Sequence, residues 1–214
     1  MQSCCAVLCL FAFLPIASAA TIVSQTNPPG MPPSTGVGAD SSESVAISWT
    51  MNSSYKNVNI AAYLVGSNVP DSGTAYLTTR IGPSTTTSAQ VASSPITFPV
   101  FGPVWQTLFS GLTLGPGTYY IVLSSTEAVG GGWSFAPTPL DVTAPGAQIG
   151  KSLYGVNLPS NAYAPADPYG PTYSNENFVF AVQGDPVNAA AVPEPAYSIL
   201  VLIACGVIAK RRRR

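Results

Sequence analysis

The stretch VAISWTM, residues 45–51, sets the fold class. Val45, Ile47, Trp49 and Met51 are large and apolar, whereas Ala46, Ser48 and Thr50 between them are small or polar. Side chains of a strand point alternately to opposite faces, so this pattern predicts a strand with one buried face. Val58, Ile60, Ala62 and Leu64 repeat it. Working outward, further strands are expected at 75–81, 89–100, 104–112, 118–125, 132–136 and 177–183. Turn stretches such as VPDSG, IGPS, LGPG and GGG separate the runs. Helical periodicity is nearly absent. The expectation is an all-β chain whose residues 42–184 form an antiparallel Greek-key or jelly-roll β-sandwich.

A local motif agrees with this. Leu114-Gly115-Pro116-Gly117-Thr118-Tyr119 has the form L-x-P-G-x-Y, which resembles the tyrosine corner of Greek-key β proteins. The resemblance implies a mostly buried Tyr119 whose hydroxyl bonds to backbone a few residues upstream, pinning a crossover between sheets. Loss of such a hydroxyl costs about 1–3 kcal/mol.

Composition narrows the chemistry. The 214 residues suit one domain with appendages, and only 8% are charged, while 19 Gly and 21 Pro favour turn-rich β structure. Five of the eight cationic residues are the last five of the chain. Residues 20–192 carry three cations (Lys56, Arg80, Lys151) against eight carboxylates, a net of −5, so nucleic acid is not an expected partner. Cys4, Cys5, Cys9 and Cys205 all lie in the terminal apolar runs, which leaves no disulfide framework and no thiolate metal site. With no His in the chain, Ser/His/Asp and Cys/His catalysis are excluded.

The two ends speak of export. Residues 6–16 are apolar apart from Pro15 and run into ASAAT, so residues 1–19 are expected to be a secretory signal peptide, although its first residues, MQSCC, hold no Lys or Arg. Residues 20–41 are rich in Pro, Gly, Ser and Thr and are expected to be a leader, with a short strand at 21–25. A linker is expected over 185–192. Residues 196–209 are uncharged and would span about 21 Å as a helix, short of a bilayer core of about 30 Å. Tyr197 on one side and Lys210, Arg211, Arg212, Arg213 and Arg214 on the other can extend the reach, with the basic cluster as a cytoplasmic stop-transfer signal. One C-terminal transmembrane helix is therefore expected.

Val192-Pro193-Glu194-Pro195, this apolar run and the basic end together resemble the PEP-CTERM sorting signal of exported proteins in exopolysaccharide-producing bacteria. The resemblance covers residues 193–214. It implies that Pro193, Glu194 and Pro195 are the recognition element for an exosortase-type processing enzyme. It also implies transient anchoring in the inner membrane, then release of the body to the cell surface or extracellular matrix. Two prolines hold the backbone extended and keep the membrane helix from propagating outward.

Within the body, Asp40, Glu43, Asp71, Glu127, Asp141, Asp167, Glu176 and Asp185 all fall at expected turns or strand edges, where charge serves solubility and edge protection. A structural Ca²⁺ near the chain ends could draw on Asp40, Glu43 and Asp185, but no D-x-D-x-D cluster supports it, and no metal or other cofactor is expected. Sugar rings could stack on Trp105, Trp133, Tyr154, Tyr163, Tyr169 or Tyr173, the last four lying in a long connection at 153–177. The competing expectation packs these tyrosines over the sandwich edge and all three tryptophans into the core. The reading that results is an exported structural or adhesive protein without enzymatic activity. Its alternatives are a carbohydrate-binding module, with exopolysaccharide as partner, and a polysaccharide-acting enzyme.

Overall fold

The computed structural model describes residues 19–31, 34–39, 43–66, 71–125, 131–156, 163–171 and 176–187. Residues 1–18 of the expected signal peptide (1–19), the tail at 188–214 with Pro193, Glu194, Pro195 and Lys210 to Arg214, and Asp40, Glu127 and Tyr173 lie outside them. Among the described residues no helix is long and apolar enough to cross a membrane.

The chain is all-β, built from two antiparallel sheets. Fourteen strands are described: β1 (Ala20–Thr26), β2 (Ser34–Gly38), β3 (Glu43–Met51), β4 (Tyr55–Val65), β5 (Asp71–Thr78), β6 (Gln90–Phe98) and β7 (Val104–Leu114). They continue with β8 (Gly117–Ser125), β9 (Gly132–Ala136), β10 (Leu140–Thr143), β11 (Ala147–Val156), β12 (Tyr169–Pro171), β13 (Asn177–Phe178) and β14 (Phe180–Pro186). The larger sheet runs β10-β1-β14-β4-β9-β13, with β7 paired to β4 and β2 to β9. The smaller runs β12-β11-β3-β8-β5-β6.

The core lies between the sheets and follows the predicted alternation. Ile47 and Trp49 of β3, Ile121 of β8, Ile60 and Leu64 of β4 and Phe180 of β14 all point inward and are sealed from solvent. Phe180 lies between two tryptophans, with ring centroids 6.3 Å from Trp49 and 6.5 Å from Trp133. Trp133 stacks on Phe178 at 5.1 Å, and its indole N–H donates to the Val179 carbonyl at 2.8 Å. That bond satisfies the polar atom which burial would otherwise strand. Burial of each such ring stabilises the fold by about 1.5–3 kcal/mol.

The corner motif behaves as its resemblance implies. Tyr119 is buried and its hydroxyl donates to the Gly115 carbonyl, four residues upstream, at 2.9 Å, while its ring stacks on Trp49 at 5.6 Å. Pro95 falls inside β6, which is tolerated because β6 is an edge strand and one side of it needs no N–H.

Several boundaries differ from the sequence reading. The expected 20–41 leader contributes two strands to the larger sheet: β1 is inserted between β10 and β14, with Ile22 and Val23 in the core, and β2 pairs with β9. At the other end β14 runs on to Pro186, and the Val187 N–H bonds the Ser54 carbonyl, so pairing enters the expected linker. β10 and β11 were not expected. β11 has lost its alternation through Gly150, Lys151 and Ser152, at the point where its register against β3 shifts. Ala46 is buried, so β3 has two covered faces rather than one.

Candidate functional site

The expected aromatic set separates into four environments. Trp133 is fully buried in the core, which removes it as a sugar platform: Phe178 stacks on its indole and Phe180 meets it edge-on. Tyr154 lies on β11, and its hydroxyl donates to the Glu43 carboxylate at 2.5 Å. Tyr163 and Tyr169 belong to a segment that folds back over the outer face of the smaller sheet. Trp105 alone of these stands at the surface, 47% exposed near the start of β7. The expectation that all three tryptophans enter the core therefore fails at Trp105.

The folded-back segment is a lid built on a single turn of 3-10 helix, Ala164–Ala166. Ala164 packs with Ala46 and Val122, flanked by Tyr76, Ile81, Leu153 and Tyr169. Tyr163 meets Tyr76 edge-on at 5.4 Å. Beneath the lid, Ser44 Oγ lies 2.9 Å from the Tyr169 hydroxyl and donates to Asp167 Oδ2 at 3.2 Å, and the Tyr169 hydroxyl donates to the Ala164 carbonyl at 3.0 Å. Burial pushes the Tyr169 phenol pKa well above its ordinary value; the bond with Ser44 opposes this, and the Asp167 carboxylate adds to it. Burial raises the Tyr163 phenol in the same direction. Gly155 makes the close approach possible, because a Cβ there would overlap Ser44 Oγ and lie 2.7 Å from the Tyr169 ring. These tyrosines are only partly exposed, and their contacts tie the lid to the sheet.

Two carboxylates also depart from expectation. Asp167 is sealed under the lid, and Asp71 is buried at the start of β5, where it accepts from the Ser125 hydroxyl at 2.9 Å and the Gly131 N–H at 2.7 Å. Both are buried because hydroxyl and amide donors replace the water they leave. They are struts between loops rather than solubilising charges. Of the others, Asp141 accepts from Gln25 and Asp185 from Asn57, on the larger sheet, while Glu43 is engaged by Tyr154 on the smaller. Glu43 and Asp185 thus serve separate sheets. No three potential metal ligands come together among the described residues.

What the sequence reading did not anticipate is the company of Trp105. On β4 the inward register of Val58, Ile60, Ala62 and Leu64 leaves Asn59, Ala61 and Tyr63 facing outward. Antiparallel pairing then sets Tyr63 opposite Trp105, with ring centroids 5.3 Å apart and planes tilted by 42°. The next row sets Thr107, Ala61 and Ala181 side by side across β7, β4 and β14, and the row beyond sets Asn59 opposite Gln183. The result is a trough of about 350 Å³, lined by Asn59, Ala61, Trp105, Thr107, Ala181 and Gln183. Its floor is low because Ala61 and Ala181 are short; an indole forms one wall and two amides the other. None of the six residues carries a charge. Aromatic face, amides and a hydroxyl together can bind a ligand that has both apolar C–H surface and hydroxyls.

No protein-family model, curated protein or solved structure matches this chain.

Proposed function

We propose that this chain is an exported protein of the bacterial cell surface or extracellular matrix, and that its sandwich is adhesive, holding matrix carbohydrate on the outer face of the larger sheet. The observation that carries the reading is the half-exposed Trp105, braced by Tyr63 beside an uncharged, amide-walled trough. An indole braced by a second ring at the rim of a concavity with a few polar groups suits the stacking of a ligand. No carboxylate lines the trough, which favours holding a glycan over cleaving one, because glycoside hydrolysis calls for a pair of them.

The finer fold class belongs to the same proposal. A Greek-key, jelly-roll order is supported by β8 lying between β3 and β5, and by first and last strands β1 and β14 pairing. Export rests on the signal-like residues 1–19. Sorting rests on the PEP-CTERM resemblance, with Pro193, Glu194 and Pro195 read by an exosortase-type enzyme, an apolar membrane segment and the basic stop at 210–214.

Two measurements test it. Protein recovered from the matrix should end near residue 193 by mass spectrometry; recovery only of intact chain from cytosol would overturn export. Affinity electrophoresis through gels containing the producing cells' exopolysaccharide should retard the protein, and Trp105→Ala should restore free migration. Equal mobility with and without polysaccharide would overturn the adhesive role.

A further inference from the structure

We propose that the trough holds an internal run of an uncharged polysaccharide, laid across the strands from Trp105 towards β10. This rests on the glycan reading above and adds to it the ligand's charge and the way the ligand lies. Trp105 and Tyr63 supply the anchor: a pyranose presents an apolar C–H face to an indole, and the tilted tyrosine fixes the indole's orientation. Across the floor, Gln183 offers a donor pair and an acceptor, and Asn59, whose amide also donates to the Asn57 carbonyl at 3.3 Å, offers an acceptor and one further N–H, which suits the alternating donors and acceptors of ring hydroxyls.

Charge selects among glycans. An acidic polysaccharide would find no cation in the lining, and Lys56, the one cation of β4, stands opposite Asp185. An amino sugar would find no carboxylate there. A neutral chain meets neither deficit.

Register gives the direction. The row Thr107–Ala61–Ala181 continues to Ser24 on β1 and Val142 on β10, so five strands contribute one residue each. At the usual spacing between strands the row is about 19 Å long. It begins on β7 and finishes on β10, both edge strands among the described residues. A site for a chain end needs a wall that stops the chain, and this row runs open from edge to edge. An extended glycan can enter over one edge and leave over the other.

The test titrates purified wild-type protein with matrix polysaccharide from the producing cells, split by anion exchange into neutral and acidic fractions and cut to graded lengths. Trp49 and Trp133 are sealed in the core, so the quencher-accessible fluorescence reports Trp105. Neutral fragments should bind, with affinity rising up to about four rings, the number the row can seat, and then levelling. Trp105→Ala removes the reporter, so its binding is followed by affinity electrophoresis instead, where it should be weakened about tenfold or more. Ala181→Gln should lower the affinity of long fragments to that of short ones while Trp105 still responds, and Ala61→Gln serves should the first variant unfold on heating too early. Tightest binding by single rings, or a requirement for a free chain end, would overturn the lengthwise mode and leave the glycan contact standing. Binding by the acidic fraction alone would overturn the charge assignment. Silence from both fractions would remove this inference and the adhesive reading together.

Discussion

The outer face of the smaller sheet is covered over β3, β8 and β5 by residues 163–171 of its own chain, whereas no described residue covers the outer face of the larger sheet over β14, β4 and β7. Both faces carry aromatic residues. Under the lid, the Tyr169 hydroxyl is committed to Ser44 and the Ala164 carbonyl, and the Tyr163 ring meets Tyr76 edge-on. On the larger sheet, Trp105 and Tyr63 touch each other and leave one side of the indole to solvent. Aromatic content does not separate the two cases. Loop tyrosines can swing down to bury area, while a strand residue with outward register cannot turn away from solvent unless another segment comes to cover it.

Substitutions can break this contrast, and the largest effect is expected in the core that both faces share. Trp133→Ala should lower unfolding free energy by about 3–5 kcal/mol in urea titration, since it opens a cavity beside Phe178 and Phe180 and removes one of the two donors to the Val179 carbonyl, leaving only the Tyr63 N–H. A loss below about 1 kcal/mol would place Trp133 among surface residues and undo the distinction from Trp105.

On the covered face, Tyr169→Phe should cost about 1–3 kcal/mol, because Ser44 and the Ala164 carbonyl lose a buried partner. The same residue predicts a pH effect. Folding raises its phenol pKa above the ordinary 10.0, so below about pH 10 the group is protonated in both states and its stabilisation is fully present. Above that pH the unfolded chain releases the proton while the folded chain keeps it, and stability falls as pH rises. Thermal melts from pH 8 to 11 should show this decline, and Tyr169→Phe should flatten it; an unchanged slope in the variant would show the phenol to be solvated.

Smaller effects sharpen the comparison. Tyr119→Phe removes one partly buried hydrogen bond to Gly115 and should cost about 1 kcal/mol, without altering binding of matrix polysaccharide. Trp105→Ala should leave stability within about 0.5 kcal/mol, as befits a surface residue, while abolishing retardation in polysaccharide gels. A Trp105→Ala protein that melts far below wild type would mark the indole as structural and close the gap between the two faces.

Much of the architecture was legible. Alternation in β3 and β4, the L-x-P-G-x-Y corner and the turn clusters lead directly to two antiparallel sheets, because period-two patterning and turn chemistry are local properties. β10 and β11 escaped notice because β10 is exposed along its whole length and β11 breaks its alternation at a register shift. The burial of Asp71 and Asp167 was equally hidden: their donors, Ser125, Gly131 and Ser44, lie 54, 60 and 123 residues away. Part of the candidate site could be read, since the inward register of β4 already assigns Asn59 and Ala61 of the lining, and Tyr63 beside it, to its outer face. Their meeting with Trp105, Thr107 and Gln183 could not.

The order of residues alone therefore determined that this chain forms strands and which side chains of each strand share a face. Which faces meet, which strand lies beside which, and whether an outward aromatic ends under a lid or in water were decided only by tertiary structure. The physical reason is range: side-chain alternation follows from neighbouring dihedral angles, whereas pairing of β4 with β7 and β14, and the docking of 163–171 on β3 and β8, arise from contacts between residues far apart in the chain.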